Sequence, residues 1–576
     1  MQLIDWAIVA LYCVASLVLG LILTKRASQG VESYFAGNRK LTWWLAGTSM
    51  AATAFSSDTP LLVTGITRLR GLWGNWEVWA LGISTMLTVF FFSKLWKRSG
   101  VLTEVELVEL RYSGKPASFL RGFKAIYWGL FYNAFIIGAW PMTGLVKVMQ
   151  ETTGWDKTFS ILFCLGLTTI YSCLSGYWGV VLTDFFQFIW AMAGAFILAF
   201  FALQAVGGPG ALVQHLSATD KLSFLPPAEG MSWFLGLFLV QWWAWKNTDG
   251  GGIAVQRMVS CKDEREATLS MLWFNFVHYV LRSWPWVVTA LASLILIPDS
   301  MLTVTDGAQT FVDHERAYPR LIAMLLPVGL RGVLVASFFA AFMSTVDSQL
   351  NWGASYLVSD FYKRFIKKDG SESHYIFISR AITFLLAGLG ALVAFRIQSI
   401  GQVFTFVLNL TAGVGPVYLL RWFWWRVNAW SEIAAMGGSL LLISLRSTLF
   451  GLLGIPPDPL LKLLYMVFGT GLIWMPVTFL TPPVPEEALR KFSVLVSPPG
   501  FWGKIGKSKE EGELWFSSLK LWLVGTVALF ATLIGPLQIF LGRLWLGLFS
   551  CALALAGACY VTFLFDRQRR SQLQPR

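Results

Sequence analysis

The sequence predicts an all-α protein that crosses a membrane many times, with a core of two oppositely oriented five-span halves. Three observations carry this. The chain of 576 residues is 56% hydrophobic and 13% charged, with a mean hydropathy of +0.60, a balance outside the range of soluble domains. Apolar runs of about 20 residues, each long enough to cross roughly 30 Å of hydrocarbon, recur from end to end. Two of these runs are interrupted at corresponding places, MAATAFSSDTPLLVTG over 50–65 and LVQWWAWKNTDGGGIAV over 239–255. Carboxylates and helix breakers at mid-membrane survive only against a protein-enclosed cavity. Paired interruptions in two halves point to the binding site of a secondary transporter.

Taken in order, the runs give roughly fifteen spans of about 20 residues or a little more. They fall near 4–24, 43–67, 75–97, 120–149, 157–174, 177–206, 232–256, 268–297, 322–361, 375–397, 401–424, 430–452, 460–481, 516–538 and 543–565. The first has no basic residues before it and is too long for a signal peptide, so it reads as a retained helix. The ninth is too long for a simple span and is expected to tilt or to run on past the membrane as helix. Between the third and fourth, TEVELVELRY is too short and too charged to cross, and reads as an amphipathic helix on the cytoplasmic surface.

The net charge of +13 sits in short loops between spans. That is the positive-inside pattern rather than a nucleic-acid surface, so no nucleic-acid partner is expected. The basic loops after spans 1, 3, 7, 9 and 11, the 482–515 loop and the tail DRQRRSQLQPR fall on one side, which places the N-terminus outside and the C-terminus in the cytoplasm of a plasma (inner) membrane. Arg68 and Arg70 run against the trend. The six cysteines show no metal or disulfide spacing, and most of the 29 Trp suit interfacial belts.

With the first span set aside, the two interrupted segments are helices 1 and 6 of the next ten. Five is odd, so the second half enters the membrane inverted relative to the first. This divides the chain into an N-terminal helix and loop (1–40), a transporter core (41–425) and C-terminal accessory helices (426–576).

In the first break, Pro60 removes an amide donor and frees carbonyls near Ser56. With the hydroxyls of Ser56, Ser57 and Thr59 these are hard oxygen donors suited to a small cation, and Asp58 adds a carboxylate. A proline kink patched by hydroxyls has the same composition. In the second break Lys246, Asn247, Thr248 and Asp249 precede Gly250, Gly251 and Gly252, which cannot hold a helix unaided. Lys246 and Asp249 either pair with each other or face a wet cavity and touch solute; Trp242, Trp243 and Trp245, just before the break, either stack on a solute or face lipid and the interface. A third group lies in AAFMSTVDSQLN, where Ala341, Ser344, Thr345 and Ser348 share one helix face and Asp347 adds a charge that interhelical packing does not need. Asp184 lies about two turns into its span.

These motifs resemble the sodium:solute symporter family, that of the bacterial proline, pantothenate and sialic acid carriers and the sodium/sugar cotransporters. The resemblance rests on GYWGVVLTDFFQ, VELRYSG and GLRGVLVASFFAAFMSTVDSQLNWGASYLVSDFYK and covers roughly residues 1–425. It implies the LeuT-like five-plus-five inverted-repeat fold, with one extra N-terminal helix and about four extra C-terminal ones. It implies a co-transported sodium ion held by the carbonyls of Ala52, Phe55 and Ala341 and the hydroxyls of Ser344 and Thr345. Some members of that family have a second sodium site, whose ligands would fall here on Ser344, Asp347, Ser348 and Asp184. Asp347 stands where the family usually has a hydroxyl, and paired carboxylates there either strengthen a cation site or share a proton. The SSDTP break differs from the best-known subgroups.

The function expected is sodium-coupled symport of a small polar solute by alternating access, with Ser56, Ser57, Asp58, Thr59, Trp243, Lys246, Asn247 and Asp249 as solute contacts. Asp58 and Asp249 with Lys246 suit a zwitterion; Lys246 alone suits a carboxylate. The break spacing by itself equally allows proton coupling. No zinc, P-loop or nucleophile-elbow motif marks an enzyme, and a signalling role would need a partner. Oligomeric state is not encoded in these patterns.

Overall fold

The computed structural model describes residues 1–27, 39–306, 309–502, 505 and 509–573. Most of the first basic loop (28–38) and the end of the tail lie outside them. Among the described residues ten helices are long and apolar enough to cross a membrane, or eleven if Ile400–Ala412 and Gly415–Phe423, bent by 42°, form one span. The other expected spans are two shorter apolar helices, Leu3–Val18 and Lys157–Cys173, and the two interrupted segments.

The helices that span or line the core and its accessories are α1 (Leu3–Ala27), α2 (Trp43–Phe55), α3 (Thr59–Arg70), α4 (Leu72–Ser99), α5 (Gly114–Thr153), α6 (Lys157–Ala205), α7 (residues 231–241), α8 (Ile253–Ser260), α9 (Glu264–Leu296), α10 (Leu330–Ile366), α11 (Glu372–Ala394), α12 (Ile400–Ala412) and α13 (Gly415–Phe423), followed by α14 (Ala429–Leu452), α15 (Pro459–Leu480), α16 (Lys509–Phe540) and α17 (Leu544–Leu573), with shorter helices in the connections. Helix α10 is buried along most of its length and packs on α1, α2, α6 and α11.

Helix α6 is helical throughout its 49 residues, yet it makes two passes. The Tyr171 and Thr183 hydroxyls meet at 2.5 Å, whereas twelve residues of straight helix rise about 18 Å. Phe163 packs on Phe339, while Ser344 donates to Asp184 and Gly194 abuts Ser337. The parts before residue 174 and after residue 179 therefore run antiparallel along α10, in keeping with two expected spans.

Two expectations need correction. The long ninth stretch is divided: Ala317–Leu325 ends before Pro327 and Gly329, the latter at φ +88°, and α10 starts afresh at Leu330. TEVELVELRY does not lie on the surface as an amphipathic helix. Only Leu107–Arg111 is helical, and Glu104 is buried inside the protein, because its carboxylate accepts the Gly252 amide at 2.6 Å. The loop between α9 and α10 also holds a two-stranded antiparallel hairpin, Thr303–Asp306 with Gln309–Val312.

Candidate functional site

Helix α2 stops at Phe55 because Ser56 turns to φ 46°, ψ 154°, a conformation that costs a non-glycine residue energy and marks a built feature. The chain resumes as α3 at Thr59, with Pro60 in the first turn, where its missing amide costs nothing. A helix end leaves carbonyls without intrahelical donors. Here Thr345 Oγ donates to the Thr53 carbonyl at 2.8 Å, and the Arg282 guanidinium takes that of Ala54. Ser56 donates to Asp58.

The second break spans Trp242–Gly252, between α7 and α8. Gly250 and Gly252 have φ near +78°, which only glycine adopts cheaply. A Cβ on Gly250 would stand 2.4 Å from the Thr88 side chain.

Both breaks open onto one cavity of about 310 Å³. Ala54, Ser56, Asp58 and Thr59 line it from the first break, and Lys246, Asn247 and the three glycines from the second. Arg282 and His278 of α9, with Gln349 and Trp352 of α10, close the wall. Lys246 is buried, and its ammonium lies over the rings of Trp128, Tyr132 and Trp352 at 4.8, 5.1 and 5.2 Å from their centroids.

Three expected solute contacts do not line this cavity. Ser57 turns away and donates to the Pro141 carbonyl at 2.6 Å. Trp243 donates to the Leu239 carbonyl one turn back. Asp249 does not pair with Lys246: it accepts from Arg421 and from the Trp422 indole, both at 2.7 Å. It belongs to a buried ionic cluster with Glu104, Glu432 and Lys124, in which Lys124 and Glu432 pair at 2.6 Å.

The expected sodium ligands lie where α2 meets α10. Ala52, Phe55, Ala341, Ser344 and Thr345 are all buried. The carbonyls implied for the ion, Ala52 and Phe55, flank the two already engaged by Thr345 and Arg282. The donor set is carbonyl and hydroxyl oxygen, hard ligands that suit a small cation.

The residues of the implied second site also meet. Ser344 and Ser49 donate to Asp184 at 2.6 and 2.5 Å, the Thr53 and Ser348 hydroxyls are 2.9 Å apart, and Asp347 is buried within electrostatic range of Asp184. Among them stands Arg257 of α8, one residue past the expected span 232–256 and so at the start of an expected cytoplasmic loop. It is fully buried, donates to Ser348 at 2.7 Å and Ser49 at 3.1 Å, and lies 3.4 Å from Asp184. Its sequence signal was its place within one helical turn of the apolar IAV that follows the glycines.

A profile of the sodium:solute symporter family matches residues 34–440. The chain belongs to the sodium:solute symporter family. It is a sodium-coupled solute symporter and not an enzyme, and a multi-pass membrane protein. This symporter is 26% identical over 534 residues to sodium/glucose cotransporter 4 of Danio rerio, covering 84% of this chain and 80% of that one. It is 26% identical over 558 residues to the sodium/myo-inositol cotransporter of Bos taurus, with 87% and 75% covered. The solved outward-open structure of a sodium-coupled sialic acid symporter superposes with a TM-score of 0.68 at 19% identity, over 84% of this chain and 99% of that one. The symporter's fold is thus the LeuT-like one.

Proposed function

We propose that the cavity between the two breaks is the solute site, that sodium binds between α2 and α10 at the five residues named above, and that residues 41–425 carry the transport cycle by alternating access. The observation behind this is that both broken helices end on one cavity, whose walls also come from α9 and α10. A cation between α2 and α10 would hold the first break in shape and so favour solute entry. The solute is small and polar. The relatives named for glucose and myo-inositol make sugars and polyols the first compounds to test, with sodium as co-substrate. The proposed setting is the plasma (inner) membrane, N-terminus outside and C-terminus cytoplasmic, with residues 426–576 as accessory helices. One charge moved across 100 mV supplies about 2.3 kcal/mol, close to a 50-fold accumulation of a neutral solute.

The test is uptake into proteoliposomes from a panel of radiolabelled monosaccharides, inositols and sugar acids. A sodium gradient should drive accumulation that a potassium gradient does not, and a sodium ionophore should abolish it. Equal uptake with either ion would refute sodium coupling at this site.

A further inference from the structure

Lys246 is 4% exposed and lines the cavity. Among the described residues its ammonium meets aromatic faces, and no side chain hydrogen-bonds to it or forms an ion pair with it. Glu104 and Asp249 act on it electrostatically from behind the cavity wall, but their hydrogen bonds go elsewhere. Glu104 accepts from the Gly252 amide at 2.6 Å and Tyr356 at 3.1 Å, and Asp249 is held by Arg421 and Trp422. Aromatic rings stabilise a cation but accept no strong hydrogen bond, so this buried ammonium has charge compensation but lacks the hydrogen-bond acceptor that burial demands. The second cation on the wall, Arg282, directs three of its five donors to the Ala54 carbonyl and to His278.

The charged residues on the wall are Lys246, Arg282 and Asp58, two cations against one carboxylate. Around them, the Asn247 and Gln349 amide oxygens, His278 Nδ1 and the Trp352 indole nitrogen have no protein hydrogen-bond partner. Groups of this kind read hydroxyls. A volume of about 310 Å³ is at the small end of ligand pockets, the scale of a single sugar.

We propose that the transported solute is a hydroxylated acid of monosaccharide size, whose carboxylate pairs with Lys246 and whose hydroxyls meet Asp58 and the unpartnered amides and indole. This rests on the cavity being the solute site. A neutral sugar would offer the ammonium only a hydroxyl acceptor; an acid offers it stronger, charge-assisted hydrogen bonds.

The experiment measures thermal stabilisation of the purified chain, in sodium and in potassium, by matched pairs: D-glucose and D-glucuronate, D-galactose and D-galacturonate, D-sorbitol and D-gluconate. Sodium-dependent uptake of the labelled compounds follows. In wild type the acid of at least one pair should bind at least about tenfold more tightly than its neutral partner, in sodium. Lys246→Met should erase that preference while keeping the stabilisation by sodium alone, and Lys246→Arg should retain it. Should Lys246→Met fail to fold, the wild-type pair preference and Lys246→Arg decide. Neutral members binding as well as the acids, with sodium dependence, would overturn this proposal and leave the symport reading standing. An unchanged acid preference in Lys246→Met would also overturn it. No sodium-dependent stabilisation or uptake with any compound would overturn both.

Discussion

Thr345 Oγ donates to the Thr53 carbonyl at 2.8 Å, joining the broken end of α2 to α10 at the rim of the cavity. The hydroxyl stands in for the amide that the break removed. Its neighbour Ser344 donates to Asp184. Two adjacent side chains of α10 thus bind the first break on one side and α6 on the other, and a cation held between them would feel both.

Removing one hydroxyl should weaken the cation before the solute. Ser344→Ala is expected to raise the sodium concentration for half-maximal uptake, by about tenfold if one ligand is worth roughly 1.4 kcal/mol. Sodium titration of uptake, at saturating solute, checks this. An unchanged sodium dependence would remove Ser344 from the ligand set.

Asp58 is the one carboxylate on the cavity wall among the described residues. Asp58→Asn keeps the shape and the hydrogen bond from Ser56 but removes the charge. Transport should be lost while expression and membrane insertion stay intact, as read by uptake beside size-exclusion profiles. Uptake at the wild-type level would take Asp58 out of the solute site.

Gly144 of α5 lies against the first break. A Cβ there would stand 2.6 Å from Asp58 N and Cα and 2.8 Å from the Ser57 carbonyl carbon, all backbone atoms that cannot swing aside. Gly144→Ala should therefore push the break out of place, with a cost of about 1–3 kcal/mol and a larger loss of uptake than of protein yield. Wild-type uptake in this variant would mean that the break tolerates displacement.

Arg257 and Asp184 are both buried at 3.4 Å. Taking away one partner of such a pair leaves an uncompensated charge, at about 3–5 kcal/mol. Arg257→Gln should lower the melting temperature markedly, and adding Asp184→Asn should recover much of it. Additive losses in the double variant would show that the two residues act separately.

The sequence revealed the breaks and their shared cavity because both violate a strict rule: carboxylates and glycine runs do not face lipid. The reversal in α6 was legible in the glycines of SGYWG. Arg257 was missed for a physical reason: it stands where an apolar run meets a basic loop, and an arginine at that edge is normally in water. The direction of Asp249 was hidden too. A carboxylate at a glycine break can turn either way, and here Arg421, 172 residues further along, decides it. Lys246 was noted as a charge, but its aromatic surroundings come from α5 and α10 and have no local signature.

Sodium-coupled transport through this site requires the two breaks to face one water-filled, sodium-sensitive cavity. Ala54→Cys and Asn247→Cys place one thiol on each. The measurement is the rate of labelling by a small water-soluble methanethiosulfonate, located by peptide mass spectrometry, in potassium and then in sodium. Both thiols should react, and both rates should change together when sodium replaces potassium. Either thiol staying unlabelled while a control thiol placed at the exposed residue Glu486 of the 482–515 loop reacts, or the two rates ignoring sodium, would contradict the account.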